Sequence, residues 1–270
     1  LSDLIYTRIL EPSSKLASYR VAKEFLEPPS YEEHDVYRAL DVLASECDLI
    51  QAEVYKNSNF VSQKMDRILY YDCTNYYFEI EQAEGSKQYG KSKEHRPNPI
   101  IQMGLFTDGQ GIPLAFSLFP GNQNEQKSLK PLEQKVLTDF GHEKFIYCCD
   151  AGLGSEANRE LNHMGSRAFI VTQSIKKLRK EDREWALSPN GFKRVMDDTP
   201  ADINNLKEQD ADQLFYKDEP YTTRKLDQRL IITYSPKYAA YQKEIRRRQV
   251  ERAEKMIASG KRKTERKNPN

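Results

Sequence analysis

Cysteine and histidine are scarce in this chain. Cys47, Cys73, Cys148 and Cys149 form no C-x-x-C pair, and only four histidines accompany them. That argues against a structural zinc site and against a disulfide framework, and it fits a reducing cytoplasm. Long apolar runs are missing as well. Nothing approaches the roughly 20 residues a membrane helix needs, so no membrane partner is expected. The first residues, Leu1-Ser2-Asp3-Leu4-Ile5-Tyr6, lack both an initiator Met and the basic head and apolar core of a secretory leader. Such a start reads as a segment of a larger protein.

A large net charge is absent too, with 42 Lys+Arg against 41 Asp+Glu, but the balance hides an asymmetry. Residues 236–270 hold 12 basic and 4 acidic side chains, a net of +8; the other 235 residues hold 30 and 37, a net of −7. A basic tail on a mildly acidic body points to an anionic partner, nucleic acid first, or to a solvated and partly disordered helix. What is present suits a packed protein: 270 residues, 38% hydrophobic and 10% aromatic, are enough for one large domain or two small ones.

Residues 1 to about 60 read as helices interrupted at Pro28-Pro29. Two short helices around that break make either a helical cap or a small DNA-binding unit. The pattern then changes. Arg67 to Ile80 is dense in aromatic and β-prone residues and predicts a long strand. Residues 85–99 predict a loop, Ile100 to Thr107 a second strand, Asp108-Gly109-Gln110-Gly111 a tight turn, and Ile112 to Phe119 a third strand. A helix through Leu129 and Leu137 leads to a strand ending at Asp150. A helix capped by Ser155 then leads to a fifth strand, Ala168 to Thr172. The order β-β-β-α-β-α-β predicts an α/β domain: a mixed five-stranded sheet covered by helices, the ribonuclease H-like layout. Beyond residue 176 the chain predicts a weak strand at Arg194-Val195-Met196, a clearer one at Gln228 to Tyr234, and a charged helix from Tyr241 to Ala258. Three regions follow: a helical region over 1–62, the sheet core over 63–175, and a mixed strand and helix region over 176–270.

Two acids stand out. Asp72 interrupts an apolar strand, where a carboxylate is costly unless paired or metal-bound. Asp150 ends a strand, and ligand sites in such sheets collect at strand C-termini. The first and fourth strands are neighbours in this layout, so the two carboxylates can converge on a shared Mg²⁺ or Mn²⁺. Equally, Asp150 can cap a turn and Asp72 can pair with a lysine. The loop carrying Lys87, Lys91, Lys93, His95 and Arg96 suits either a phosphate backbone or solvent.

Five segments in fixed order resemble those of bacterial insertion-sequence DDE transposases, in the group with a β-rich insertion before the last catalytic acid. They are Tyr71 to Glu79, Gly90 to Pro97, Gly104 to Asp108, Phe119 to Glu125 and Asp150 to Ser155. The resemblance implies metal-dependent DNA cleavage and strand transfer with two Mg²⁺ or Mn²⁺ ions. It assigns Asp72 and Asp150 as the first two catalytic acids. Lys91, Lys93, His95, Arg96, Asn122 and Glu125 become DNA-contact or supporting positions. It implies double-stranded DNA as partner, a homodimer when full length, and a bacterial, nucleoid-associated location. Charge adds Arg246, Arg247 and Arg248 to the DNA-binding set.

The family's third acid is a Glu within Tyr-x2-Arg-x3-Glu-x6-Lys. The nearest fit, Arg247 with Glu251, has Glu244 at the Tyr position and Ala258 at the Lys position. The third acid is therefore expected beyond residue 270, and this segment alone is expected to be inactive. The alternatives are a ribonuclease H-like nuclease and a non-catalytic DNA-binding remnant.

Overall fold

The computed structural model describes residues 1–60, 63 and 65–259. The basic cluster at Lys261 to Lys263, Arg266 and Lys267 lies outside the described residues. The chain divides into two compact units, Leu1–Gln173 and Ser174–Asn270.

The first unit opens with four helices: α1 (Ser2–Leu10), α2 (Lys15–Ala22), α3 (Glu33–Ser45) and α4 (Cys47–Asn57). Ser14 caps α2, its hydroxyl accepting from the Ala17 amide at 3.2 Å. Helix α4 belongs to the core of the sheet that follows. Ala52 is buried there, and the Tyr55 ring stacks on Phe140 with centroids 4.5 Å apart.

The sheet comprises β1 (Ile68–Tyr77), β2 (Ile100–Thr107), β3 (Pro113–Pro120), β4 (Ile146–Cys149) and β5 (Ala168–Val171), in the order β3-β2-β1-β4-β5. Strands β3, β2 and β1 are antiparallel neighbours; β1, β4 and β5 run parallel. Helices α5 (Leu129–Thr138) and α6 (Glu156–Leu161) form the crossovers. This is a ribonuclease H-like mixed sheet, and local chemistry sets it up. Asp108 closes the β2–β3 turn, its Oδ1 accepting from the Gln110 and Ile112 amides at 2.9 Å each. Gly111 supplies the left-handed φ of 81° that this turn requires. Prolines flank β3, where an edge strand tolerates them. The edge itself is covered: the Phe116 amide donates to Gln51 Oε1 of α4 at 2.7 Å, and Lys135 of α5 donates to the Phe116 carbonyl at 3.3 Å.

Among the described residues of this first unit, helices pack on one face of the sheet. Odd positions of β1 (Leu69, Tyr71, Cys73) join Phe106, Tyr147 and the α5 residues Leu129, Leu132 and Val136 in the core. Even positions turn the other way. Tyr70, Tyr76, Leu118 and Ile170 share that second face and are 45–58% exposed. The sequence predicts apolar content for both faces, but periodicity says nothing about which face receives a helix.

The second unit contains α7 (Lys180–Leu187), a three-stranded sheet of β6 (Lys193–Arg194), β7 (Phe215–Thr222) and β8 (Asp227–Tyr234), and α8 (Pro236–Ala258). The sequence reading misses β7, and the reason is physical. Its inward positions are Phe215 and Lys217, and a lysine in a core position hides the alternation. Lys217 is 3% exposed; its ammonium donates to the carbonyls of Trp185 (2.6 Å) and Ser188 (2.5 Å), and it sits over the Trp185 and Phe192 rings. It thereby caps the C-terminus of α7. Helix α8 begins at Pro236, earlier than expected, because Ser235 caps it and proline suits a first helical turn. No residue of α8 is buried. None of the described helices is long and apolar enough to cross a membrane.

Candidate active site

The parallel ladder between β1 and β4 pairs Tyr70 with Cys148 and Tyr71 with Cys149. Asp72 and Asp150 each follow the last of these pairs by one residue. Facing residues of a ladder share a side, so the two aspartates continue the Tyr70 and Cys148 face, away from the helix-covered core. They line one shallow cavity of about 230 Å³ together with Tyr70, Leu105, Thr107 and Cys148. Asp72 is not an acid buried in an apolar strand. Its side chain is 75% exposed, because even positions of β1 face outward.

The two carboxylates are held differently. Asp72 is placed by its strand, with Oδ1 accepting from the Cys73 amide at 2.8 Å. Lys93 Nζ stands 3.6 Å from the same Oδ1 and donates to the Cys73 carbonyl. The lysine pairing left open by spacing is therefore present. Asp150 closes its own turn: Oδ1 accepts from the Gly152 amide at 2.9 Å and the Leu153 amide at 3.1 Å. Side chains from elsewhere brace that turn. Gln126 Nε2 donates to the Gly152 carbonyl at 3.0 Å; Asn158 Nδ2 donates to the Leu153 carbonyl at 2.7 Å.

The loop over 85–99 is not a free hairpin tip. Gln88 and Ile100 exchange amide–carbonyl bonds at 3.0 and 2.8 Å. A Cβ on Gly90 would lie 1.9 Å from the Gly121 carbonyl oxygen, so only glycine permits this approach. The Lys93 amide donates to Asn75 Oδ1 at 3.2 Å, and the Arg96 guanidinium lies 4.4 Å from the Tyr77 ring centre. Arg96 also pairs with Glu94 at 3.2 Å. Lys91 and His95 are exposed, His95 with a left-handed φ of 56°.

Asn122 is exposed and Glu125 half-exposed on the segment after β3. Buried Gln102 anchors that segment, donating to the Gly121 and Gln123 carbonyls at 2.9 and 2.8 Å. Gln102, Gln126 and Asn158 all escape the sequence reading. The available signal is weak: an amide side chain facing a loop carbonyl is chosen by tertiary approach, not by local spacing. Arg246, Arg247 and Arg248 belong to the other unit, on α8. Arg247 makes two 2.7 Å bonds to Glu244 and pairs with Glu251, and Arg248 reaches Glu244 at 2.8 Å. These bonds hold the Glu244 carboxyl down to about 2.

Hard oxygen donors on one edge fit a hydrated Mg²⁺, which takes one or two carboxylates and completes its shell with water or phosphate. Among the described residues no group of three His, Cys, Asp or Glu side chains could hold an ion. Asp72 and Asp150 are the two carboxylates that line the cavity, and the donors for a two-ion centre are not assembled among the described residues. Burial pushes the Cys148 thiol up and the Cys149 thiol to about 11, away from the reactive thiolate form.

No protein-family model and no curated protein matches the chain. Among solved structures it is similar to a piggyBac transposase synaptic complex with hairpin DNA, with TM-score 0.34 and 12% identity over 61% of this chain and 32% of that one. It is also similar to a Mos1 transposase paired-end complex with the left transposon end, with TM-score 0.27 and 17% identity over 63% of this chain and 53% of that one. For a Mos1 mariner paired-end complex with Mn the values are 0.26 and 13%, over 63% and 54%. The chain thus spans between about a third and about half of the length of these structures.

Proposed function

We propose that this chain is part of a DNA transposase of an insertion sequence, carrying two of the three acids of a metal-dependent strand-cleavage and strand-transfer site. The observation that supports this reading is the parallel β1–β4 ladder, with Asp72 and Asp150 one step past its last pair and lining one cavity. Together with the five motifs in family order, it favours a recombinase over a metabolic hydrolase.

In this reading Asp72 and Asp150 hold Mg²⁺ or Mn²⁺. A bound ion supplies polarised phosphate oxygens and an acidified water or 3′-hydroxyl. The protein's own contribution is positional. Asp150 commits Oδ1 to its turn, which leaves Oδ2 for the ion. Lys93 balances Asp72 while the ion is absent and shifts to phosphate when DNA arrives. Lys91, His95 and Arg96 contact the DNA backbone from the same loop, and the α8 arginines add sequence-independent attraction. In this reading the third acid is not supplied by the described residues, and a homodimer acting on paired ends is the expected assembly. A non-catalytic DNA-binding remnant is the second reading, favoured by the missing third donor among the described residues.

The test uses the complete gene with its flanking DNA on a donor plasmid. Excision and joining are expected with the wild type and not with Asp72→Asn or Asp150→Asn. Joining by either variant sinks the proposal. The 270-residue chain by itself is expected to join no ends; if it does so robustly with Mg²⁺, the assignment of a missing acid is wrong.

A further inference from the structure

Asp150 sits on a loop, yet its carboxylate must be aimed as accurately as one on a strand. Something outside the loop has to supply that rigidity. Asn158 is 6% exposed and lies on α6, eight residues downstream. Its Nδ2 donates both to the Leu153 carbonyl at 2.7 Å and to the Gln126 carbonyl at 3.3 Å. The Gln126 side chain in turn donates to the Gly152 carbonyl at 3.0 Å. Gly152 and Leu153 are the two residues whose amides grip Asp150 Oδ1. Each amide that orients the carboxylate therefore belongs to a residue whose carbonyl is held by this pair of side chains.

The arrangement is anchored behind. Asn162 Nδ2 donates to the Asn158 carbonyl and to Glu133 Oε2, both at 3.0 Å. Glu133 is 1% exposed, and its Oε1 stands 3.1 Å from Arg167 Nε as an ion pair without a hydrogen bond between those atoms. A rigid chain thus runs from α5 through α6 to the Asp150 turn.

We infer that Asn158, with Gln126, is a positioning residue for Asp150: it sets the direction of the free carboxylate oxygen and so the affinity of the site for a divalent ion. This rests on the reading of Asp72 and Asp150 as ion ligands. Outer partners of metal ligands are worth about 10–100-fold in affinity.

The experiment titrates the complete protein, third acid included, with Mn²⁺ and follows the free-ion signal by electron paramagnetic resonance. Asn158→Leu keeps the branched shape and the neutral charge but loses the donor; Gln126→Met likewise removes the donor, at an exposed position where folding is not at stake. Wild type is expected to bind, Asn158→Leu to bind about tenfold more weakly, and Gln126→Met to fall between. Amide exchange at Gly152 and Leu153 should rise in both variants while the thermal midpoint of Gln126→Met is unchanged. Wild-type affinity in Gln126→Met and in folded Asn158→Leu overturns the inference and leaves the two-acid reading intact. No Mn²⁺ binding by wild type overturns the two-acid reading itself, and the inference with it.

Discussion

In the unit Leu1–Gln173 the charges of interest stand in the open, whereas in Ser174–Asn270 the most constrained charge is inside. Asp72 and Asp150 face solvent at a strand edge, and a core of large side chains such as Leu69, Phe106 and Tyr147 sits behind them. In the second unit the small core of Leu178, Ala186 and Leu230 is joined by buried Lys217, and two basic side chains of α8, Arg247 and Arg248, are tied to Glu244 and Glu251. A cation enclosed by protein carbonyls holds structure; an exposed carboxylate such as Asp150, with one oxygen committed to its turn, keeps the other open to solvent. That contrast separates chemistry from architecture more cleanly than net charge does.

Four changes test it, in decreasing order of effect. Asp72→Asn or Asp150→Asn in the complete protein should lower DNA cleavage by at least about 100-fold, more than the loss of an outer partner would cause. DNA affinity and melting temperature should stay near wild type, since binding rests on phosphate contacts. If the proteins unfold instead, the acids are structural and the contrast collapses. Lys217→Met comes next. It leaves the Ser188 carbonyl without its side-chain donor, at about 1–3 kcal/mol, and the Trp185 carbonyl with only the Ser188 amide. Urea denaturation should show that loss, and amide exchange should rise in β7 and β8 while β1 and β4 stay protected. Gly104→Ala is smaller: a Cβ there would meet the Tyr71 hydroxyl oxygen at 2.4 Å, so about 1–3 kcal/mol of strain is expected in a thermal melt. The smallest effect separates the arginines of α8. Arg246 makes no ion pair among the described residues, so Arg246→Ala should reduce the salt slope of DNA binding by about one. Arg247→Ala should change it less, because Glu244 and Glu251 already hold that side chain. Equal slopes would show that the helix-internal pairs do not matter.

Much of the fold is legible in the residues. The aromatic, β-branched run around Tyr70 to Tyr77 announces β1, Asp108 to Gly111 announces its turn, and Ser155 announces α6, because each signal is local. β7 is not legible, since Lys217 occupies an inward position and satisfies its ammonium with carbonyls contributed from Trp185 to Asn190. The exposed second face of the sheet is likewise invisible to periodicity, which reports that a face is apolar and not whether a helix arrives to cover it. At the site, Asp72 and Asp150 are visible through their motifs. Lys93 is visible only as one basic loop residue among several, and its approach to Asp72 goes with bonds to Asn75 and to the Cys73 carbonyl that no local pattern announces.

Taken alone, the residue order determined which segments become strands, where the acids fall along them, and that the basic charge gathers near one end. Those are consequences of short-range sterics and of alternation, which act over a few residues. Tertiary structure decided which side of the sheet stays open, which lysine faces Asp72, and that Asn158 and Gln126 brace the turn of Asp150. These depend on backbone carbonyls and side-chain donors brought together across 21 to 32 residues of chain, a distance over which no local preference operates.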